Sequence, residues 1–459
     1  MVTQDTRGRR DKEPKPDSGF TAALSSKNPQ QMAWFLLEFL TAGITGMRAM
    51  STTRRAFLKT TAAATVFAPA VIRSAAAAGD PIVIGSMYDL SGGLEMVGKP
   101  MYDVLQFAVG EMNEAGGLLG REIKVVSFDT QTNMQLYAQY AQEAALKHKV
   151  SVVHGGITSA SREVIRPVLD KYKTLYFYDM PYEGGVCDRN IFIDGVTPAH
   201  NTEVLVGYGL KNWGKKIYTL AADYNYGQIT SEWVKKYVKD GGGEVLGTEY
   251  FPLDATNFGS TISKIQAAKP DWIMTVLVGG GPISFYRQFH AAGLSGKIPI
   301  ASTTFAGGNE QFVLTPEESD GIVVAYNYIE SIDNPVNKDF QKRFRAKFGA
   351  DYPPITDLGM SSYQGMQLWA AGVKKAGTID REKVIDALES GISIDGPSGK
   401  VTLDPATHHV TFDVHLSVLK DRQIKLIETF SQRPPADTAA VCDLKKNPRE
   451  AKQYIIKAN

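Results

Sequence analysis

Cysteine is nearly absent from these 459 residues, and no run of about 20 uninterrupted apolar residues occurs anywhere. The two cysteines, Cys187 and Cys442, are too few for a disulfide scaffold, and their spacing matches no zinc site. In an exported chain they can form one bridge; two unconnected buried thiols fit equally well. A block of one charge sign is also missing. The 50 basic and 49 acidic residues are spread along the chain, so composition gives no reason to expect nucleic acid as a partner. The catalytic signatures are missing too: there is no Gly-x-Ser-x-Gly, no His-Glu-x-x-His, no Cys-x-x-Cys and no Walker loop. Neither an enzyme, nor a cofactor, nor a metal centre is expected. His408-His409 is the only adjacent histidine pair, and neighbours on a strand face opposite sides, so an ordinary turn is expected there.

What is present begins with an address. Residues 51–59 read STTRRAFLK: a polar residue, two arginines, any residue, then Phe57-Leu58-Lys59. This resembles the twin-arginine export signal, with Thr53 where serine is commoner. A moderately apolar stretch, 60–72, then runs through Arg73-Ser74 into Ala75-Ala76-Ala77-Ala78, the charged, apolar and small-residue order of a signal peptide. Residues 50–78 are therefore expected to be a leader that directs the protein to the periplasm. Residues 1–49 do not fit that plan: a polar segment precedes a short apolar run broken by Glu38. The expectation is a non-native extension, with translation beginning at Met50 or Met47.

The remainder alternates between apolar runs and helical periodicity. Strands are expected at 81–87, 123–128, 151–154 and 174–178. The helices between them include one on which Met101, Leu105, Ala108 and Met112 recur at helical spacing. A second set follows, with strands at 217–222, 244–250, 272–278 and 298–301. This pattern predicts an α/β fold of two Rossmann-like, doubly wound lobes joined by a hinge. The crossovers are placed near 197–201 and 326–329, giving 80–198 plus 328–395 as one lobe and 199–327 plus 396–459 as the other. Antiparallel strands are expected at 401–403 and 411–419. Gly116-Gly117-Leu118-Leu119-Gly120 follows a helix and precedes a strand, the reverse of a dinucleotide loop, and reads as a helix stop.

In open α/β sheets ligands bind beyond the carboxyl ends of the strands. Those ends here carry glycines, hydroxyls and tyrosines: Thr158 and Ser159 after the third strand, Tyr178 and Met180 after the fourth, then Tyr224, Tyr226 and Gly279 in the second set. Tyrosine supplies a flat apolar face and one hydroxyl, suited to orienting a small polar solute. Each position is also compatible with simple capping or packing; their convergence on four strand ends is what favours a ligand site.

Several segments carry a family resemblance: Asn113-Glu-Ala-Gly-Gly-Leu-Leu-Gly-Arg121, Gly156-Ile-Thr-Ser-Ala-Ser-Arg162, Tyr182-Glu-Gly184, Gly396-Pro-Ser-Gly-Lys-Val401 and His408-His409. Over roughly 82–427 the chain resembles the type I periplasmic-binding fold of the branched-chain amino acid and amide-binding superfamily, and most resembles the subgroup that takes urea and short aliphatic amides. The resemblance implies a solute-binding component of an ABC importer, with permease subunits as partners, the amide held by Ser159 and Tyr178, and Tyr224 closing over it. Met180 stands where amide binders carry threonine, and Gly156 and Ile157 where they carry a cysteine and an aromatic, which implies a larger or more apolar ligand than acetamide. Amino acid binders of this superfamily pair the ligand ammonium with an acid in the second lobe. The matching Gly279-Gly280-Gly281 has none, although Asp223 or Asp89 can substitute, so the expectation leans to a neutral amide or urea. Branched-chain amino acid binding, or a ligand sensor of the same fold, is the alternative.

Overall fold

A strand covered by helices on both faces must be apolar on both, and the first βα units are built that way. The computed structural model describes residues 79–458; the extension and leader expected at 1–78 lie outside the described residues. Ile82–Tyr88 (β1) is buried along its length except for Val83. Glu95–Glu114 (α1) packs Met101, Leu105, Ala108 and Met112 inward, the face read from their spacing. It stops at Gly116 and Gly117, both at positive φ, and a Cβ on Gly117 would lie 2.0 Å from the Arg121 carbonyl oxygen. Ile123–Asp129 (β2), Met134–Leu146 (α2), Val152–Gly155 (β3), Ser159–Lys171 (α3) and Leu175–Tyr178 (β4) follow, then the short Val186–Asp188 (β5) and Ile191–Ile193 (β6). Strands in the order β2-β1-β3-β4-β6 form a parallel sheet.

The second set starts with Thr202–Asn212 (α4), Lys216–Ala222 (β7), Asn225–Asp240 (α5), Glu244–Phe251 (β8) and Gly259–Ala268 (α6). Trp272–Val276 (β9), Gly281–Ala291 (α7), Ile300–Ser302 (β10) and Val323–Tyr326 (β11) complete its parallel part. The chain then supplies Pro335–Phe348 (α8), Asp357–Ala376 (α9) and Arg381–Leu388 (α10), of which α9 packs on α1, α10 and β3 of the first set. Ser393–Gly396 (β12), Gly399–Leu403 (β13), Val410–Lys420 (β14) and Gln423–Arg433 (β15) add an antiparallel edge. The resulting order is β12-β13-β14-β11-β10-β9-β7-β8, with β15 on β14. The doubly wound α/β class expected from the alternation is the class observed.

Two details differ from the expected division at residue 396. β12 pairs with β13, so 393–395 go with the second sheet and not the first. Beyond β15 the tail turns back: Cys442 is disulfide-bonded to Cys187, and Ala451–Gln453 (β16) pairs antiparallel with β5. The backbone groups of β5 that no neighbour in the parallel sheet satisfies are what this tail takes up. Among the described residues no helix is long and apolar enough to cross a membrane.

Candidate functional site

The carboxyl ends of both sheets open into one cavity, which encloses about 700 Å³ including its solvent mouth. From the first sheet, β3 ends in Gly155 at φ +133°, where a Cβ would sit 2.2 Å from the Met87 carbonyl oxygen; glycine lets β3 and β1 approach here. The turn that follows puts Thr158 at the cap of α3, its hydroxyl accepting the Ser161 N–H at 3.0 Å. Thr158 therefore serves its own helix and does not line the cavity. Ser159, Tyr178 and Met180 do, and so do Tyr224, Tyr226 and Gly279 from the second set. Six of the seven residues singled out in the sequence are thus brought together.

Their hydrogen bonds define what they offer. The Ser159 hydroxyl donates to the carboxylate of Glu183, which also takes a 2.7 Å bond from the Arg162 guanidinium. Both charged side chains are fully buried, and the guanidinium lies 4.8 Å and 5.2 Å from the ring centroids of Tyr182 and Tyr178. This ion pair is compensated within the wall, behind the cavity. The Tyr226 hydroxyl donates to Thr303 Oγ1 at 3.0 Å. Burial raises the phenol pKa values of Tyr178, Tyr224 and Tyr226 above their ordinary range, so all three stay protonated.

Most of the remaining wall is apolar, with Leu94, Val97, Ile157, Leu277, Val278 and Leu358 facing the space. Two carboxyls missed by sequence reasoning also face it: Glu310, in the loop between β10 and β11, and Asp357, the first residue of α9. Burial lifts both to about 7, each partly offset by backbone N–H donors. The substitutes expected for a missing second-lobe acid lie elsewhere. Asp89 is consumed by Thr130, Thr132 and Tyr137, and Asp223 is exposed and bonded to Gln228. His408 and His409 sit in the turn before β14; His408 stacks on Phe192 and His409 bonds the Tyr182 hydroxyl.

Two sheets whose strand ends share one cleft define a two-lobed binding protein. The chain belongs to the periplasmic binding protein family, whose model matches residues 81–423. Among curated relatives it is similar to the Leu/Ile/Val-binding protein homolog 6 of Brucella melitensis, with 22% identity over 368 residues, 77% of this chain and 91% of that protein. Among solved structures it is similar to a solute binding protein of an ABC transporter from Rhodopseudomonas palustris HaA2 in complex with p-hydroxybenzoic acid. The TM-score is 0.70 at 25% identity, covering 78% of this chain and 98% of that one. A leucine binding protein from Thermotoga maritima MSB8 superposes with a TM-score of 0.67 at 20% identity, covering 76% and 99%.

Proposed function

We propose that this protein is the exported substrate-binding component of an ABC importer, closing its two lobes over a small solute in the periplasm and presenting it to the permease subunits. The observation that carries the reading is the single cavity lined by strand ends of both sheets, because a guest touching both lobes stabilises the closed state over the open one. Ser159, Tyr178, Met180, Tyr224, Tyr226 and Gly279 are the contacts in this reading, and Thr158 acts only through the helix it caps.

Between a urea or short amide and an aliphatic amino acid, the walls favour the amino acid. Burying a leucine-sized side chain against them is worth roughly 1.5–3 kcal/mol, which urea forgoes. The Ser159 hydroxyl, the group expected to hold an amide, already donates to Glu183. Met180 adds apolar surface at the position where an amide binder would place a hydroxyl. The test is calorimetric titration with leucine, isoleucine, valine, urea, acetamide and 4-hydroxybenzoate, with each binder then assayed for turnover. Tight binding of a branched-chain amino acid without turnover is the expected result. Conversion of a bound compound, or preference for urea or acetamide, would overturn it.

A further inference from the structure

The two sheets' lobes also meet at a place that does not face the cavity. There α3, which follows β3 of the first sheet, packs on α5, which follows β7 of the second. On the same helix α5 the Trp233 indole N–H donates to the backbone carbonyl of Glu183 at 3.0 Å. Glu183 lies in the loop that leaves β4 of the first sheet. One position earlier on α5, the Glu232 carboxylate accepts the Ala458 N–H at 3.0 Å. Ala458 lies just past β16, in the tail that the Cys187–Cys442 bridge and the β16–β5 pairing fix to the first sheet. Adjacent residues of one second-lobe helix thus bond two separate first-lobe segments.

Both ends of the Trp233 bond are held in place, and both lead to the cavity. The buried Glu183 side chain is bonded to Ser159, Arg162 and Gln453, so its carbonyl is presented at a fixed point. Through the same side chain Glu183 positions Ser159 on the cavity wall. The Trp233 ring stacks on Tyr237 at 5.5 Å, and its helix starts at the cavity with Tyr224 and Tyr226. Neither Glu232 nor Trp233 lines the cavity itself. Their bonds depend on the angle between the lobes and not on the guest. A rotation that carries α5 about 1 Å from the β4 loop takes a 3.0 Å bond out of hydrogen-bonding range, so these bonds add to the closed form alone.

We infer that Trp233, supported by Glu232, is a closing latch: a positioning residue that holds the lobes together over the solute through the Glu183 carbonyl. The inference rests on the solute-binding reading of the cleft and deepens it. A solute binds only as tightly as the competent form is populated, so the latch scales affinity for every solute by one common factor. Wall residues such as Tyr224 differ in kind, because they touch the guest and discriminate among guests. The latch engages after capture, and its loss therefore appears in the rate at which solute leaves, with the rate of arrival unchanged.

The test replaces Trp233 by phenylalanine, which keeps a ring against Tyr237 and removes the N–H. Each binder among leucine, isoleucine, valine, urea, acetamide and 4-hydroxybenzoate is titrated calorimetrically and its kinetics followed by stopped flow. Trp233→Phe is expected to weaken every binder by the same factor, about three- to tenfold, through faster dissociation. Glu232→Ala weakens all binders equally too, whereas Glu232→Gln, which keeps an oxygen acceptor for the Ala458 N–H, binds nearly as wild type does. The melting temperature of Trp233→Phe falls with solute present and holds without it. Unchanged affinity, losses that differ between binders by more than about threefold, or an equal fall in melting temperature without solute each overturn the latch and leave the solute-binding reading standing. Should none of the six compounds bind the wild-type protein, that reading fails and the latch fails with it.

Discussion

Tyr224 stands half-buried ahead of α5, its ring 6.1 Å from that of Tyr226 and on the cavity wall. Truncating it removes contact area from the guest and little from the core, so Tyr224→Ala is expected to weaken solute binding by about 1–3 kcal/mol with the melting temperature nearly unchanged. Unaltered affinity by calorimetry would remove Tyr224 from the site. Three histidines give a second expectation. Burial lowers His154 and His200 to about 3 and His409 to about 4. Above the unfolded value near 6.5 these rings are neutral in both states and contribute nothing to the pH dependence. As pH falls below it, the unfolded chain takes up protons that the folded protein refuses, so stability declines from about pH 6.5 towards 3–4. Urea melts at stepped pH check this: replacing His200 by glutamine should flatten the acid limb, and an unchanged slope would contradict it. Residue by residue, the site was legible where a tyrosine or hydroxyl followed a recognisable strand. It was not legible at Glu310, which lies in a loop with no periodicity, or at Asp357, since nothing in a sequence marks which helix start faces a cleft.

Eight parallel strands were readable to within a residue or two because each is a short apolar run closed by glycine or polar turn residues, as 152–155 is by Gly155-Gly156, whereas the short β6 and β11 were not expected. The helix α9 behaved differently. It is buried almost all round, from Leu358 through Val373, so it lacks the polar stripe by which an amphipathic helix is recognised. The end of β9 at Gly279-Gly280-Gly281 carries no acid, and the expected substitutes Asp223 and Asp89 lie away from the cavity; the carboxyls that line it come from the β10 exit and from α9. Thr158 shows the converse. Its position after β3 was read correctly, but capping α3 and lining the cavity were competing uses of one hydroxyl, and the cap took it.

Across the whole molecule, the two-sheet plan followed from alternation alone, while the return of the tail to β5 did not. The pairing partner, Ala451–Gln453, is three exposed or half-buried residues with no strand signature. The bridge that accompanies it joins residues 255 apart in sequence. A cross-link closing so long a loop restricts the unfolded chain strongly, so replacing Cys187 and Cys442 together by serine is expected to lower stability by about 2–5 kcal/mol. Denaturant melts of oxidised wild type and the double variant measure this; coincident midpoints would show the bridge to be energetically idle.

The chain comes back to the first sheet with the helix α9 and to the second with the strands β12 to β15, and this constrains how the protein can be made. A growing polypeptide that has emerged only as far as α4 holds five strands without the helix α9 that covers part of them; one that has reached β11 holds a second sheet still lacking β14. Neither half is a contiguous piece of polypeptide that could be excised and expressed alone. Assembly therefore waits for the last hundred or so residues and is completed almost as one event, with premature termination products left as substrates for proteolysis.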